Sequence, residues 1–239
     1  IEASRDAPLQ NIESERLDHQ RELLQNAHAI AEEMDVTLRT RAIVSPDVGT
    51  AILDVIGEED ADQLLVGWDG AVGEGGYTFG PTTDSVIERA RCDVSLVKLT
   101  EHSIGKPVAL VAPGENAPFV ARRAFELATV DGTVPTLLYV QSPDTYPDGE
   151  SAEPGREVID DIARSAGLES DEYDVEILVS DDIEAAIPEA IEAYETVCVG
   201  LSHRTDSSGL LYGTFTEQIA LNATGNVVLV RGAVNIPNR

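Results

Sequence analysis

Apolar positions along this chain follow two periods in turn, which predicts helices and strands in alternation. Residues 12–34 carry an apolar stripe at helical spacing, whereas 36–44 alternate apolar and polar side chains as a half-buried strand does. Short apolar runs at 64–66 and 196–199 have the length and composition of buried strands. The same reasoning predicts helices at 46–56, 85–90, 116–128, 156–166, 182–193 and 214–222, and strands at 94–98, 107–112, 134–140, 173–179 and 226–230.

The order of these elements predicts an α/β fold with a parallel sheet and helices on both faces. From 107 to 230 the pattern is βαβαβαβαβ, and such alternation is typical of parallel strands connected by crossover helices. A linker at 100–106 separates this part from a shorter one before it, so we assign two domains, 1–103 and 104–239. Each domain is large enough to bury a core of its own.

A glycine pattern occurs twice and relates the two domains. Gly67 and Gly80 in the first copy correspond to Gly200 and Gly213 in the second, 133 residues later. The same spacing relates the apolar strands that follow each glycine loop, so neither copy needs a gap. A repeat this long indicates a duplicated domain, because solenoid repeats have periods of roughly 20–50 residues.

The first copy is shorter than the second at its beginning. At the 133-residue spacing it lacks counterparts of the strand 107–112, of the helix 116–128 and of most of the strand 134–140, a difference of roughly 50 residues. Ile1, Glu2 and Ala3 resemble the tail of that second strand. We therefore infer that the chain is a fragment and that its first domain is incomplete. A parallel strand without its neighbour exposes backbone hydrogen-bonding groups, so another segment is expected to cover that edge.

Each glycine loop has features of a phosphate-binding turn. Glycine allows the backbone to approach an anion closely and to adopt positive φ. In the second copy Gly213 and Thr214 open a helix, where free N–H groups and the helix dipole favour negative charge. Repetition at equal spacing strengthens the prediction that the loops are anion sites.

On these residues the chain resembles the universal stress protein family. Nucleotide-binding members carry a Gly-x-x-Gly step, nine residues and then Gly-Ser/Thr, a pattern approximated here at 67–80 and 200–214. The resemblance covers nearly the whole chain, as one and a half tandem copies. It implies flavodoxin-like (Rossmann-like) domains with five-stranded parallel sheets, the first incomplete, and pairing of domains or of two chains through their last strands. It also implies ATP or AMP as the ligand, with Mg only as the ion that accompanies the nucleotide.

Neither copy matches the family pattern completely. In the first copy Gly67, Gly70 and Gly80 are present, but Pro81 stands where a hydroxyl residue belongs. In the second copy His203 replaces the second glycine. We therefore expect weak nucleotide binding or none, and the residues assigned to it are Gly200, His203, Gly213, Thr214, Gly67, Gly70 and Gly80.

The sequence gives weaker support for other catalytic, base-stacking or metal-binding residues. In ATP-binding relatives an acidic residue follows the first strand, but here Ala112 occupies that position. Ser202, His203 and Asp206 lie too close together in one loop for the geometry of a nucleophilic triad. Trp68 is more typical of a packing residue than of one that stacks on a base, and no cysteine or histidine cluster has metal-ligand spacing. We predict no catalytic residues and no metal site.

Charge is the other strong signal. The chain has 44 acidic and 16 basic residues, a net charge of −28, and its only lysines are Lys98 and Lys106. Such self-repulsion opposes folding at low ionic strength and is screened near 1 M salt, where the Debye length is about 3 Å. The composition therefore predicts a salt-rich cytoplasm as the environment of this protein. It also argues against nucleic acid and anionic membrane as partners.

Three functions remain open from the sequence. The first is a non-enzymatic sensor or regulator that binds a nucleotide weakly at a glycine loop. The second is the cytoplasmic regulatory tail of a membrane transporter of amino acids or cations, since tandem domains of this family also occur there. No apolar run reaches the roughly 20 residues of a membrane span, so the transporter would lie upstream. A slow ATPase is the third, although no general base or metal-holding carboxylate lies near Gly213.

Overall fold

The computed structural model describes residues 9–70, 79–143, 153–201 and 214–233, which belong to two compact units, 1–46 and 47–239. The first unit contains helix α1 (Leu9–Glu33). The second unit contains, in chain order, α2 (Val48–Glu59), β1 (Gln63–Gly67), α3 (Pro81–Arg89), β2 (Asp93–Lys98), β3 (Pro107–Leu110), α4 (Ala117–Val130), β4 (Thr136–Gln141), α5 (Glu153–Ala166), β5 (Asp174–Val179), α6 (Ile183–Ile191), β6 (Thr196–Gly200), α7 (Thr214–Asn222) and β7 (Asn226–Arg231).

The second unit is built on one seven-stranded sheet of order β1-β2-β7-β6-β3-β4-β5. Every neighbouring pair is parallel except β2 and β7, which are antiparallel. The strands β3 to β7 form the five-stranded parallel sheet predicted for the second copy, and β1 and β2 come from the first copy. The predicted α/β fold is therefore confirmed, and the two copies share one continuous sheet.

The repeat found in the sequence is also present in the fold. β1, α3 and β2 begin and end 133 residues before β6, α7 and β7, without any insertion. The helices α2 and α6 occupy overlapping positions at the same spacing but differ in length. The two glycine loops therefore belong to the same unit of strand, loop, helix and strand.

The last strands of the two copies pair with each other inside this chain. Leu96 of β2 lies opposite Leu229 of β7, and these two leucines are equivalent residues of the repeat. The register is that of a local two-fold axis between them, in which Lys98 lies opposite Val227. The pairing through last strands that the family resemblance implies is thus found between the two copies.

Two cations at equivalent positions connect each copy to the last helix of the other. Lys98 Nζ donates to the carbonyl oxygens of Ala220 and Ala223 at the end of α7, both at 3.2 Å. Arg231 Nη2 donates to the carbonyl oxygen of Ala90 at the end of α3, at 2.9 Å. A cation at a helix C-terminus satisfies carbonyl groups that lack intrahelical partners and complements the helix dipole. We call this pair of contacts the reciprocal clasp.

Apolar side chains cover both faces of the sheet, as expected for a parallel sheet between two layers of helices. Every position of β7 is buried. Successive residues of β6 point to opposite faces, so Val197 and Val199 join one core and Cys198 joins the other. The first core includes Ile87, Leu96, Ile187 and Leu229, and the second includes Ala109, Val120, Ala124, Ile159 and Val228.

The helix predicted at 12–34 is confirmed as α1, but the strand predicted at 36–44 is wrong. Residues 36–45 contain no strand, and no ladder of the described sheet includes them. Alternation indicates a half-buried strand, but a strand forms only where another one pairs with it. Ile43 is 50% exposed and Val44 is fully exposed, so the alternating side chains do not line a buried face.

Candidate functional site

The carboxyl ends of β3 and β6 enclose a cleft. These strands are neighbours in the sheet, but the chain leaves β3 towards β4 on one side and later returns to β6 on the other. Such a change of direction opens a crevice where α/β proteins bind ligands. Within the described residues the cleft measures about 940 Å³, which lies in the range of roughly 300–1,000 Å³ typical of small-molecule sites. We call it the second-copy cleft.

The second-copy cleft combines an apolar floor with a rim of backbone and small polar groups. The rim is formed by the loop 112–116, by Gly200 and Thr216, and by residues 231–233 after β7. Such a surface suits a ligand with one flat apolar part and one polar part. The floor consists of Leu110, Leu138, Val140, Ile183, Ile187 and Val199.

Asn116 holds the loop after β3 in place at the start of α4. Its Nδ2 donates to the carbonyl oxygen of Leu201, and its Oδ1 accepts from the backbone N–H of Gly232 at 3.0 Å. One side chain therefore connects three strand ends of the rim, those of β3, β6 and β7. From the sequence, Asn116 is predicted only as a helix start, because an asparagine two residues before a proline is a sufficient signal for that role.

Gly200 brings the backbone of β6 close to α4. A Cβ atom on Gly200 would lie 3.3 Å from the Cβ of Asn116 and 3.5 Å from Val120 Cγ2, which is a tight contact. Thr216, in the first turn of α7, donates from Oγ1 to the carbonyl oxygen of Gly200 at 3.4 Å. The structure thus places a hydroxyl group beside the predicted glycine, and this group belongs to Thr216, which is not among the predicted site residues.

The rim offers few charged groups to a ligand. Ala112 is exposed at the rim, and Glu115 is the one acidic side chain among the described lining residues. Arg231 also lines the cleft, but its guanidinium donates to backbone carbonyls in the reciprocal clasp and is 1% exposed. Cys198 of β6 is buried in the second core, and this burial raises the pKa of its thiol to about 12. The thiol therefore stays protonated and unreactive.

Only part of the predicted second-copy site lies within the described residues. Gly200 lines the cleft, and Thr214 is the first residue of α7, the helix that also provides Thr216. His203 and Gly213 lie outside the described residues. Among the described residues no group of His, Cys, Asp and Glu side chains could hold a metal ion.

The glycines of the first copy occupy a different setting. A Cβ atom on Gly67 would meet nothing within 4 Å, in contrast to Gly200. Gly70 has a φ of +85°, and a Cβ atom placed on it would lie 3.5 Å from Cε of Lys98. Gly80 is the N-cap of α3 and has a φ of +101°. Residues other than glycine rarely adopt this backbone conformation. Gly70 and Gly80 therefore adopt turn conformations that favour glycine.

A carboxylate of the protein itself occupies the start of α3. Asp84 is 1% exposed, and its Oδ1 accepts from the backbone N–H of Phe79 at 3.0 Å. Phe79 lies one residue before Gly80, the N-cap of α3, so its N–H is not one of the free amides of the helix start. Asp84 therefore anchors the segment that leads into α3.

Trp68 packs within the protein. Its ring meets that of Phe79 edge to face, with the centroids 5.1 Å apart and the planes at 82°. Phe79 belongs to the first core, and the partly buried Trp68 packs against that core. This contact favours the interpretation of Trp68 as a packing residue over a role in stacking on a base.

The helices in the described part of the chain are too short or too polar to cross a membrane.

The family model of the universal stress protein family matches residues 2–98 and 107–231. The Na(+)/H(+) antiporter NhaS5 of Synechocystis sp. (strain ATCC 27184 / PCC 6803 / Kazusa) is 26% identical over 222 residues. That match covers 90% of this chain but only 31% of the antiporter, so the chain spans less than a third of this relative.

Solved structures share the fold at low sequence identity. A universal stress protein from Archaeoglobus fulgidus DSM 4304 superposes with a TM-score of 0.61 at 15% identity, covering 96% of this chain and 82% of its own. A functionally unknown protein from Pseudomonas aeruginosa PAO1 superposes with a TM-score of 0.60 at 17% identity, covering 90% and 78%. Since the family model matches both copies over nearly their whole length, the chain belongs to the universal stress protein family.

Proposed function

We propose that this chain is a non-enzymatic regulatory module that binds ATP or a related adenine nucleotide in the second-copy cleft. The observation that carries this proposal is the position of the cleft, at the change of strand order between β3 and β6 and beside Gly200. The apolar floor suits an adenine ring, and the first turn of α7 has the free N–H groups that favour phosphate. Members of this family that bind ATP do so with a glycine loop of the type found here.

The chemistry of the rim supports binding rather than hydrolysis. ATP hydrolysis needs a carboxylate or similar group that holds Mg²⁺ and a residue that orients the attacking water. Ala112 provides neither, and Glu115 is an exposed loop residue that makes no hydrogen bond holding it towards the floor among those described. Mg²⁺ would enter with the nucleotide. Affinity would be weak because the rim presents mainly backbone groups.

Filling the cleft should weaken nucleotide binding. Ala112 is exposed at the rim, so Ala112→Phe places a ring over the floor at little cost to folding. We expect the affinity for ATP to fall at least tenfold, about 1.4 kcal/mol, in calorimetric titrations in about 2 M KCl. Ser170→Phe, on an exposed turn outside the cleft, is the matched control and should bind as the natural chain does.

The same titrations decide the other parts of the proposal. AMP and ATP should both bind if the adenosine part provides most of the contacts. Equal ATP binding by the natural chain and Ala112→Phe would place the ligand elsewhere and contradict this site. Release of phosphate from ATP at a rate above background, lost in Ala112→Phe, would contradict the non-enzymatic assignment.

A second candidate function is the regulatory domain of a cation transporter. It is favoured by the antiporter match, in which nearly all of this chain aligns with about a third of a Na(+)/H(+) antiporter. In this case nucleotide binding in the second-copy cleft would change the activity of attached transport machinery. The regulation would require a coupling free energy between cleft and transporter, and typical couplings change affinity about 5–150-fold.

A chimera tests this second function. In it, the matching 31% of the antiporter is replaced by this chain, and Na⁺/H⁺ exchange is measured in vesicles with a pH-sensitive dye. Addition of ATP should shift the Na⁺ concentration for half-maximal exchange about fivefold or more. The chimera carrying Ala112→Phe should exchange without this shift. Exchange that is equal with and without ATP in both chimeras would contradict the regulatory role while leaving nucleotide binding untouched.

A further inference from the structure

Part of the rim of the second-copy cleft is held in place by the first copy. Residues 231–233, which we call the rim segment, line the cleft where the chain leaves β7. Beside them lies the connection between α3 and β2, residues 90–93, which belongs to the first copy. The shape of the cleft therefore depends on both copies.

Hydrogen bonds join both ends of the rim segment to the α3–β2 connection. Arg231 Nη2 donates to the carbonyl oxygens of Ala90 and Cys92, at 2.9 and 3.2 Å. At the other end, the backbone N–H of Ala233 donates to Asp93 Oδ1 at 2.8 Å. The first copy thus provides an anchor on each side of the residue between them.

That middle residue, Gly232, contacts the second copy and fixes the wall of the cleft. Its N–H donates to Asn116 Oδ1 at 3.0 Å, and its carbonyl oxygen accepts from Arg231 Nη1 at 2.9 Å. A Cβ atom on Gly232 would overlap the ring of Phe119, which also lines the cleft. Because the backbone lies directly against this ring, a shift of the rim segment changes the space that a ligand would occupy.

The repeat gives independent support for a positioning role of residue 93. At the 133-residue spacing Asp93 is equivalent to Asn226, and Ala233 is equivalent to Thr100. Asn226 Oδ1 accepts from the backbone N–H of Thr100 at 2.9 Å, which is the counterpart of the bond between Asp93 and Ala233. In each copy the first residue of the last strand therefore holds the chain that leaves the last strand of the other copy. The equivalent contact also shows that an asparagine can accept this bond.

We propose that Asp93 is a positioning residue of the second-copy cleft, through which the first copy sets the affinity of that cleft. The proposal rests on the nucleotide binding proposed above. Without the carboxylate, the N–H of Ala233 loses its acceptor and the end of the rim segment becomes free to move. A ligand must then order this segment itself, and the cost of ordering lowers the affinity. By linkage, a bound ligand stabilises the contacts of the α3–β2 connection to the same extent.

The test compares two substitutions of Asp93 in calorimetric titrations with ATP in about 2 M KCl. Asp93→Ala removes the acceptor, and we expect the affinity for ATP to fall about fivefold or more. Asp93→Asn keeps an oxygen at this place and should restore most of the affinity lost in Asp93→Ala. Glu88→Ala, at an exposed position of α3, is the matched control for the loss of one carboxylate and should bind as the natural chain does.

Amide hydrogen exchange without nucleotide gives a readout that does not depend on binding. The reporter is the N–H of Gly232, because its acceptor is Asn116 and stays the same in these variants. In Asp93→Ala we expect this amide to exchange about tenfold faster, while the amides of β4 exchange as in the natural chain. Equal acceleration in β4 would mean that the substitution only destabilises the fold, and this would overturn the proposal.

The outcomes separate this proposal from nucleotide binding itself. If the natural chain binds ATP and Asp93→Ala binds it equally well, the positioning role is wrong and the proposed function stands. Equally low affinity in Asp93→Asn and Asp93→Ala would also overturn the role, since charge and not the position of the rim segment would then decide binding. If the natural chain does not bind ATP, the proposed function is wrong, and exchange of the Gly232 amide alone decides the positioning role.

Discussion

In about 0.1 M KCl we expect this chain to be unfolded, and in about 2 M KCl to be folded, with a cooperative transition between the two salt concentrations. At most 16 of its 44 acidic residues could have a basic residue of their own, which leaves at least 28 without one. The ion pairs found in the described residues are mostly exposed, as for Arg164 with Asp161, and such pairs stabilise little. Repulsion among the remaining carboxylates is therefore the dominant electrostatic effect.

Screening decides the size of this effect. The Debye length shortens from about 10 Å at 0.1 M to about 3 Å at 1 M ionic strength, so carboxylates on neighbouring helical turns stop interacting. Domains of ordinary stability have a free energy of unfolding of about 5–15 kcal/mol. We expect the repulsive free energy among the carboxylates at low salt to be of similar size. Far-ultraviolet circular dichroism during a KCl titration would measure the transition.

A charge variant separates screening from the general effect of salt on apolar burial. Asp54, Glu88, Glu157 and Glu189 are exposed, and their replacement by the corresponding amides changes the net charge from −28 to −24. We expect the folding midpoint to move to a lower KCl concentration in this variant. An unchanged midpoint would mean that salt acts through apolar burial and that repulsion is unimportant.

Arg231→Met should be the most destabilising single substitution in the reciprocal clasp. Arg231 is 1% exposed and donates to the carbonyl oxygens of Ala90, Cys92 and Gly232. Hydrogen bonds to a charged group contribute about 1.5–3 kcal/mol, and carbonyls left without a donor add a desolvation penalty. We expect a loss of about 3 kcal/mol in the free energy of unfolding, measured by urea denaturation in high KCl.

The equivalent lysine provides the matched control. Lys98 is only partly buried, so water can reach the carbonyls of Ala220 and Ala223 when the ammonium is removed. Lys98→Met should therefore cost clearly less than Arg231→Met, and Arg231→Lys should restore part of the loss by keeping a cation at the end of α3. If Arg231→Met were as stable as the natural chain, burial of the guanidinium would cost as much as its hydrogen bonds contribute.

The periodicity of the sequence predicted those elements whose neighbours lie in the same copy. Glycine spacing placed β1, α3 and β2 in register with β6, α7 and β7, because a duplicated strand–loop–helix unit repeats its turns as well as its apolar runs. The strand predicted at 36–44 failed because alternation describes side chains, whereas a strand also needs a partner for its backbone. Nothing in a single sequence reveals whether that partner is there.

The candidate site was predicted in part, for a similar reason. Gly200 was recognisable because a glycine at a strand end is a local signal of close backbone approach. Asn116 and Thr216 were not selected, since their roles depend on the ends of β6 and β7 lying beside α4 and α7. Asp84 and its contact with Phe79 are equally invisible in the glycine pattern, although they distinguish the first loop from the second.

The two-fold register of β2 and β7 gives this chain a freedom that an assembly of identical subunits lacks. In a symmetric dimer every substitution at the interface appears twice, so both halves change together. Here the halves are separate stretches of one gene product, and equivalent positions already differ, with Ser95 where the other strand has Val228 and Lys98 where it has Arg231. A substitution in one half can therefore be kept or lost without the same change in the other half.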